Sequence, residues 1–190
     1  MNDLPILLFE SEQAWEQWLE GNHTGDQGIW LKIAKKESGK TSVSYDEALS
    51  VALCFGWIDG QKKKFDEAYW LQRFTPRRAK SPWSQRNVDI VTKLIEKGKM
   101  RASGLGEIER AKQDGRWDAA YASQSKAVVP EDLQQELDRN PEAKAFFEQL
   151  NSVNRYAIIY RITTAKKPET RQKRLEKYMA MLKAGEKLYN

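Results

Sequence analysis

Residues 75–87 read TPRRAKSPWSQRN. Arg77, Arg78 and Lys80 stand just ahead of a helix whose opening is marked by Ser81, a candidate N-cap, and by Pro82 at the first helical position. A helix N-terminus exposes unpaired N–H groups and a partial positive charge, so it favours anions. Ser84 and Asn87 fall three apart on the first turn, where both can donate to one ligand. Arg73 precedes them, and arginine's planar fork suits carboxylate or phosphate. These residue types at this spacing point to an anion-binding notch of Asp59, Gly60, Arg73, Arg77, Arg78, Ser81, Trp83, Ser84 and Asn87. An architectural reading stands beside it. Ser81 then caps its helix, Trp83 is core, and Arg73 pairs with Asp59 or another acid to hold a hairpin to the helix.

A second basic cluster lies in AKKPETRQKR. Lys166, Lys167, Arg171, Lys173 and Arg174 crowd one helix start, with Glu169 in its first turn, where an acid suits the dipole. Glu169 can pair with Lys173 at i, i+4. Either this is a solvated, self-paired helix face, or Lys166, Lys167, Arg171 and Arg174 form a second contact for nucleic acid or an acidic protein.

Carriers of catalysis are few. The chain has one histidine and one cysteine. His23 sits in the loop-like EGNHTGDQG, and Cys54 sits among apolar residues in ALCFGW, where a free thiol packs as a small hydrophobe. That argues against a Ser-His-Asp triad, a His-rich zinc site and thiol redox chemistry. No Walker loop or GxGxxG is present, so no nucleotide cofactor is implied. Acid–base work would fall to Asp59 or to a tyrosine such as Tyr69. No catalytic residue, cofactor or metal site is assigned.

Charge is uneven over the 190 residues, whose formal net charge is +5. Residues 1–60 hold four Lys/Arg against ten Asp/Glu, and residues 61–101 hold twelve against four. Residues 102–190 hold sixteen against thirteen. A basic middle segment and a basic tail suit an anionic partner, or simply a solvated basic face.

The elements that must position these residues follow from periodicity. ESEQAWEQWLEGN reads as a helix, with Trp15, Trp18 and Leu19 on one face and Gly21 as its stop. GIWLKIAKK alternates apolar and basic residues, as a half-buried strand does. SYDEALSVALCFG is a helix opened by a Ser44–Glu47 capping box and ended by Gly56. WIDGQKKKFDEAYWLQRFTP reads as a β-hairpin turning at FDEA; a short loop centred near Asp66–Glu67 would set Gly60 roughly opposite Arg73, and a glycine inside a strand often marks a bulge or a close approach. SPWSQRNVDIVTKLIEKG and SGLGEIERAKQDGRW are helices. AAYASQSKAVV reads as an extended linker, and from Pro130 onward the pattern is helical. The expectation is α+β: a small antiparallel sheet of about three strands packed with helices in residues 1–120, then an all-helical unit in residues 121–190.

The elements FGWIDG, RFTPRR…S.WS..N, GKM…G and AK.PETR..R, spread from about Gly28 to Lys187, resemble the YdeI/OmpD-associated family of bacterial proteins. The resemblance implies bacteriocin or antimicrobial-peptide protection, with a link to an outer-membrane porin. The N-terminal residues lack the features of a secretory signal, and the apolar runs are short, so the expected compartment is the cytoplasm, with no transmembrane segment. Three functions follow. The first is a non-enzymatic binding module for an anion, nucleic acid leading, because basic residues interleave with aromatics in KKKFDEAYWLQRFTPRR. The second is a small-molecule enzyme or sensor using the notch around Asp59 and Arg73. The third is a stress-protection protein acting through protein contacts.

Overall fold

A computed structural model describes residues 4–25 and 27–189. The chain divides into two compact units, Met1–Ala120 and Tyr121–Asn190. Asp26, within the loop-like segment around His23, lies outside the described residues.

The first unit runs β1 (Ile6–Leu8), α1 (Glu12–Asn22), β2 (Ile29–Ala34), α2 (Tyr45–Cys54), β3 (Trp57–Lys64), β4 (Tyr69–Pro76), α3 (Gln85–Glu96) and α4 (Ala102–Gln113). Its sheet has four strands in the order β1-β2-β4-β3. β2, β4 and β3 are antiparallel, and β1 lies parallel to β2. The α+β class is as expected, and the sheet of about three antiparallel strands gains a fourth, parallel strand at its edge. Three residues are too short a run to show alternation, and the parallel pairing rests on the crossover through α1, which is not a local signal.

Helix starts follow their caps. Ser44 and Glu47 form a capping box at α2, and the Ser44 hydroxyl and amide hold the Glu47 carboxyl below its ordinary pKa. Ser11 accepts from the Ala14 amide at α1. α3 begins later than its sequence suggests, because Ser84, not Ser81, is the N-cap and accepts from the Asn87 amide at 3.2 Å. Trp83 and Val88 then hold the N′ and N4 positions of a hydrophobic staple, and both pack in the same core. Gly21 does not stop α1, which continues to Asn22 and is capped at His23.

Inward-facing Leu7, Ile29, Leu31, Ile33, Trp57, Trp70 and Phe74 meet Trp15 and Leu19 of α1 and the apolar side of α2. Two buried indoles find carbonyl acceptors, Trp15 on Ala48 and Trp57 on His23. α4 crosses the end of α2 so closely that a Cβ on Gly104 would stand 2.2 Å from the Cys54 carbonyl oxygen. The Arg101 amide donates to that same oxygen at 3.1 Å. The glycine of GKM…G is therefore a packing requirement.

The second unit holds α5 (Glu131–Asp138), α6 (Pro141–Gln149), α7 (Ser152–Thr163) and α8 (Pro168–Lys183), preceded by a 3-10 turn at Gln124–Lys126. Leu133, Leu137, Phe147, Ile158, Ile162, Leu175 and Leu182 form its core. Buried Asn154 accepts from the Leu188 and Tyr189 amides and donates to the Tyr189 carbonyl, which fastens the chain end to α7. Among the described residues no helix is long and apolar enough to cross a membrane.

Gly104→Ala should cost roughly 3 kcal/mol or more, because the atoms it meets are backbone. Gly106→Ala, with nothing within 4 Å of the new methyl, should be neutral or stabilising by up to about 1 kcal/mol. Urea unfolding of the two variants tests the contrast, and equal midpoints would refute the close crossing.

Candidate functional site

The hairpin is built around an irregularity. β3 and β4 pair as Asp59↔Phe74 and resume at Lys62↔Gln72, so Gly60 and Gln61 together oppose Arg73. Such a β-bulge leaves backbone groups unpaired. The side-chain amide of Gln72, only 3% exposed, donates to the Gly60 carbonyl at 2.9 Å and the Gln61 carbonyl at 3.3 Å. The extra residue also changes which lysine faces where, because side chains alternate along a strand. Lys63 shares the outward face with Leu71, while Lys62 falls on the side of Gln72 and lies 4.2 Å over the Trp70 ring.

The face turned away from the core carries Trp30 opposite Arg73, Lys32 opposite Leu71, and Ala34 opposite Tyr69. None of these belongs to either apolar core. Lys32 Nζ stands 4.5 Å from the centre of the Phe65 ring and 5.3 Å from that of Tyr69. Lys63 Nζ stands 5.9 Å from that of Trp30. Leu71, flanked in register by Lys32 and Lys63, is 1% exposed although it faces away from the core. No Asp or Glu occupies an outward paired position of the sheet.

The nine residues of the predicted notch do not assemble into one concavity. Asp59 lies on the core side, where the Tyr45 hydroxyl donates to it at 2.8 Å. Burial first, and then the Asp59 charge, push the Tyr45 pKa well above the usual tyrosine range. Arg86 donates to the Tyr45 oxygen and is ion-paired with Asp46 at 2.7 Å. Arg73 is on the opposite face beside Gly60, has no acid partner among the described residues, and its Nε is buried without an acceptor.

Arg77 is 5% exposed. Its amide donates to the Gly56 carbonyl, its guanidinium lies 3.8 Å over the Trp83 ring, and its Nη1 donates to the Pro82 carbonyl at 3.0 Å. Arg116 meets it from beyond α4, donating to the Ser81 carbonyl at 2.8 Å while its Nε holds Asp114 at 2.7 Å. Thus Arg77, Ser81, Trp83 and Arg116 come together in the interior. Ser84 is engaged as a cap, Asn87 is buried in the first turn of α3, and Arg78 is exposed. Buried Trp83 Nε1 and Arg116 Nη2 have no acceptor.

Sequence reasoning missed Trp30, Lys32, Tyr45, Arg86 and Arg116. Trp30 and Lys32 had a signal, since they sit two apart in an alternating strand. Arg116 had none, because its partner carbonyl lies 35 residues away.

In the second unit, Arg171 grips Asp132 with two bonds of 2.6 and 2.9 Å and donates to the Ile162 carbonyl. The Arg171 bond is the chief cause of a lowered Asp132 pKa. Arg174 donates to the Arg161 carbonyl. Both arginines satisfy carbonyls at the end of α7. Lys166 and Lys167 are exposed, and Glu169 forms no ion pair with Lys173.

Residues 7–107 match the family described as Domain of unknown function (DUF8412), and with more than half its length matched the chain belongs to that family. Residues 126–185, which hold the four helices of the C-terminal unit, match the family described as Bacteriocin-protection, YdeI or OmpD-Associated. FGWIDG and RFTPRR fall in the first match and AKKPETRQKR in the second. No curated protein and no solved structure matches the chain.

The arginines of these motifs hold carbonyls, so Arg77→Ala and Arg171→Ala should each cost about 1–3 kcal/mol in urea unfolding. Arg78→Ala and Lys166→Ala should stay within about 0.5 kcal/mol. The Asp132 contribution is present above the unfolded carboxylate pKa of about 3.9 and fades as pH falls through the lower folded value. Arg171→Ala and the parent should therefore converge in acid; a gap independent of pH would refute the ion pair's part.

Proposed function

We propose that the chain is a non-enzymatic binding module for an anionic partner, and that this partner is single-stranded nucleic acid laid across the outward face of the sheet. The observation that carries the reading is the outward face whose paired positions hold no acid, with Trp30, Tyr69 and Phe65 standing among Lys32, Lys63 and Arg73; Asp66 and Glu67 lie in the turn at its end. Every base has a π-face that can stack on an aromatic ring, and the lysines that now cover those rings can swing to phosphate. A four-stranded sheet with exposed aromatics is an established geometry for unstacked bases. Trp30 and Tyr69 sit four positions apart in register, roughly 13 Å along the strands, so one extended strand can span both. Arg73, with its buried unpartnered Nε, is the member of the predicted notch that belongs to this surface.

A second reading is favoured by the two buried donors without acceptors, Trp83 Nε1 and Arg116 Nη2. They lie near the opening of α3, whose first turn holds no acid. A small oxyanion bound there, with Ser84, Asn87 and Arg78 at its margin, would leave the sheet face unused.

Fluorescence anisotropy with labelled single-stranded and duplex oligonucleotides, at about 50 and 200 mM salt, tests the first reading. Single strands should bind more tightly, with affinity falling steeply as salt rises. Lys32→Gln and Lys63→Gln should each lower the salt slope by about 0.7. Trp30→Ala should weaken binding by roughly tenfold. No binding at the lower salt would overturn the nucleic-acid reading. Protection of the fold by millimolar inorganic phosphate, abolished in Arg116→Gln, would then favour the second.

A further inference from the structure

A cavity of about 280 Å³ lies within the helical unit, between the segment that precedes α5 and the facing sides of α6 and α7. Its floor is apolar: Ala127, Val129, Phe147 and Ile159, all part of or packed against the helical core. Its rim is polar, and α7 supplies most of it. Ser152, Arg155, Tyr156 and Ile159 fall at i, i+3, i+4 and i+7, the spacing of one helix face. Glu148, near the end of α6, closes the other side.

The rim carries one side chain of each charge, Arg155 and Glu148. Arg155 Nη1 donates to the backbone carbonyl of Glu148 at 3.2 Å, which sets the guanidinium beside that residue. Neither Arg155 nor Glu148 forms an ion pair within 4 Å among the described residues, although the Lys144 ammonium, paired with Asp138, is near enough to feel the Glu148 charge. The remaining guanidinium N–H groups and the exposed Ser152 hydroxyl can donate, and the Glu148 carboxylate can accept. Tyr156 is fixed separately, since its hydroxyl donates to the Ala122 carbonyl at 3.0 Å.

An apolar floor beneath adjacent unlike charges is complementary to a small molecule with an apolar body and neighbouring ammonium and carboxylate groups. The volume lies just below the roughly 300–1,000 Å³ of drug-sized sites, which suits one amino acid and not a nucleotide. We infer that this cavity is a binding site for an apolar α-amino acid, with the carboxylate on Arg155 and Ser152, the ammonium on Glu148, and the side chain over Phe147, Val129 and Ile159. The site is independent of the sheet face and of the anion it is proposed to hold.

Calorimetric titration of the full chain with L-phenylalanine and L-leucine tests this inference. Saturable binding should appear, weakened at least tenfold by Arg155→Gln and less by Arg155→Lys. N-acetylphenylalanine, which lacks the ammonium, and phenylalaninamide, which lacks the carboxylate, should each bind at least tenfold more weakly than the free amino acid. Glu148→Gln should remove the discrimination against the acetylated compound. Ser152→Phe, at an exposed position on the rim, should abolish binding while leaving circular dichroism and the urea midpoint unchanged. Absence of saturation at 10 mM L-phenylalanine and L-leucine (about 100 times a 0.1 mM Kd) would overturn the inference. So would binding indifferent to Arg155→Gln and Ser152→Phe, or equal affinity for the free and acetylated compounds.

Discussion

The hairpin depends on the amide of Gln72. A bulge in β3 frees the carbonyls of Gly60 and Gln61, and the buried Gln72 amide, which would cost about 1–3 kcal/mol if left unpaired, donates to both. Gln72 is inside the sheet because its side chain answers both. With that bond in place the extra residue is tolerated, the parity of β3 shifts by one, and Lys63 joins Lys32 and Arg73 on the outward face. Without it, Lys62 and Lys64 would take that face and Lys63 would turn toward the core side. The charge pattern of the surface is thus set by one buried polar side chain, not by the lysine run itself.

Arginine and lysine divide the work along physical lines. Arg77, Arg116, Arg171 and Arg174 direct planar, weakly hydrated guanidinium groups at carbonyl oxygens left open where helices and turns end. Arg77 also stacks on Trp83, which recovers dispersion energy for a group taken from water. Lys32 and Lys63 keep their ammonium groups at rings on the open face and flank Leu71 in register. The basic segment that opens α3 is therefore two things. Its interior arginine is a fastener, and its exposed residues, Arg78 and Lys80, supply surface charge.

What could be read from sequence was local. The Ser44–Glu47 capping box, the FDEA turn and the positive-φ stops at Gly56 and Gly98 each depend on residues within a few positions. The register beyond that turn was not legible: the structure pairs Lys64 with Trp70, and the bulge restores Gly60 to a place opposite Arg73. Nor were three further features. β1 is recognised only by its partner β2, three residues long and across a helix. The choice between Ser81 and Ser84 as N-cap turns on whether Trp83 is inside the helix or staples it, which is a core-packing question. The scattering of the predicted notch reflects strand parity: Asp59 and Gly60 are adjacent in sequence and face opposite sides of the sheet. Proximity in sequence near a bulge is a poor guide to a shared site.

Three titratable groups in the first unit are held by burial or by hydrogen bonds. Cys54 is buried, and burial, with a smaller push from Glu16, raises its pKa to about 11. At neutral pH only about one thiol in ten thousand is then ionised, too few to serve as a ready nucleophile. Tyr45 is likewise pushed toward its neutral form, and its proton is committed to Asp59. His23 uses Nδ1 on the Leu19 carbonyl at the end of α1, a local capping role. Cys54, Tyr45 and His23 are thus each buried or bonded within the fold. The outward face of the sheet, by contrast, holds its lysines at aromatic rings.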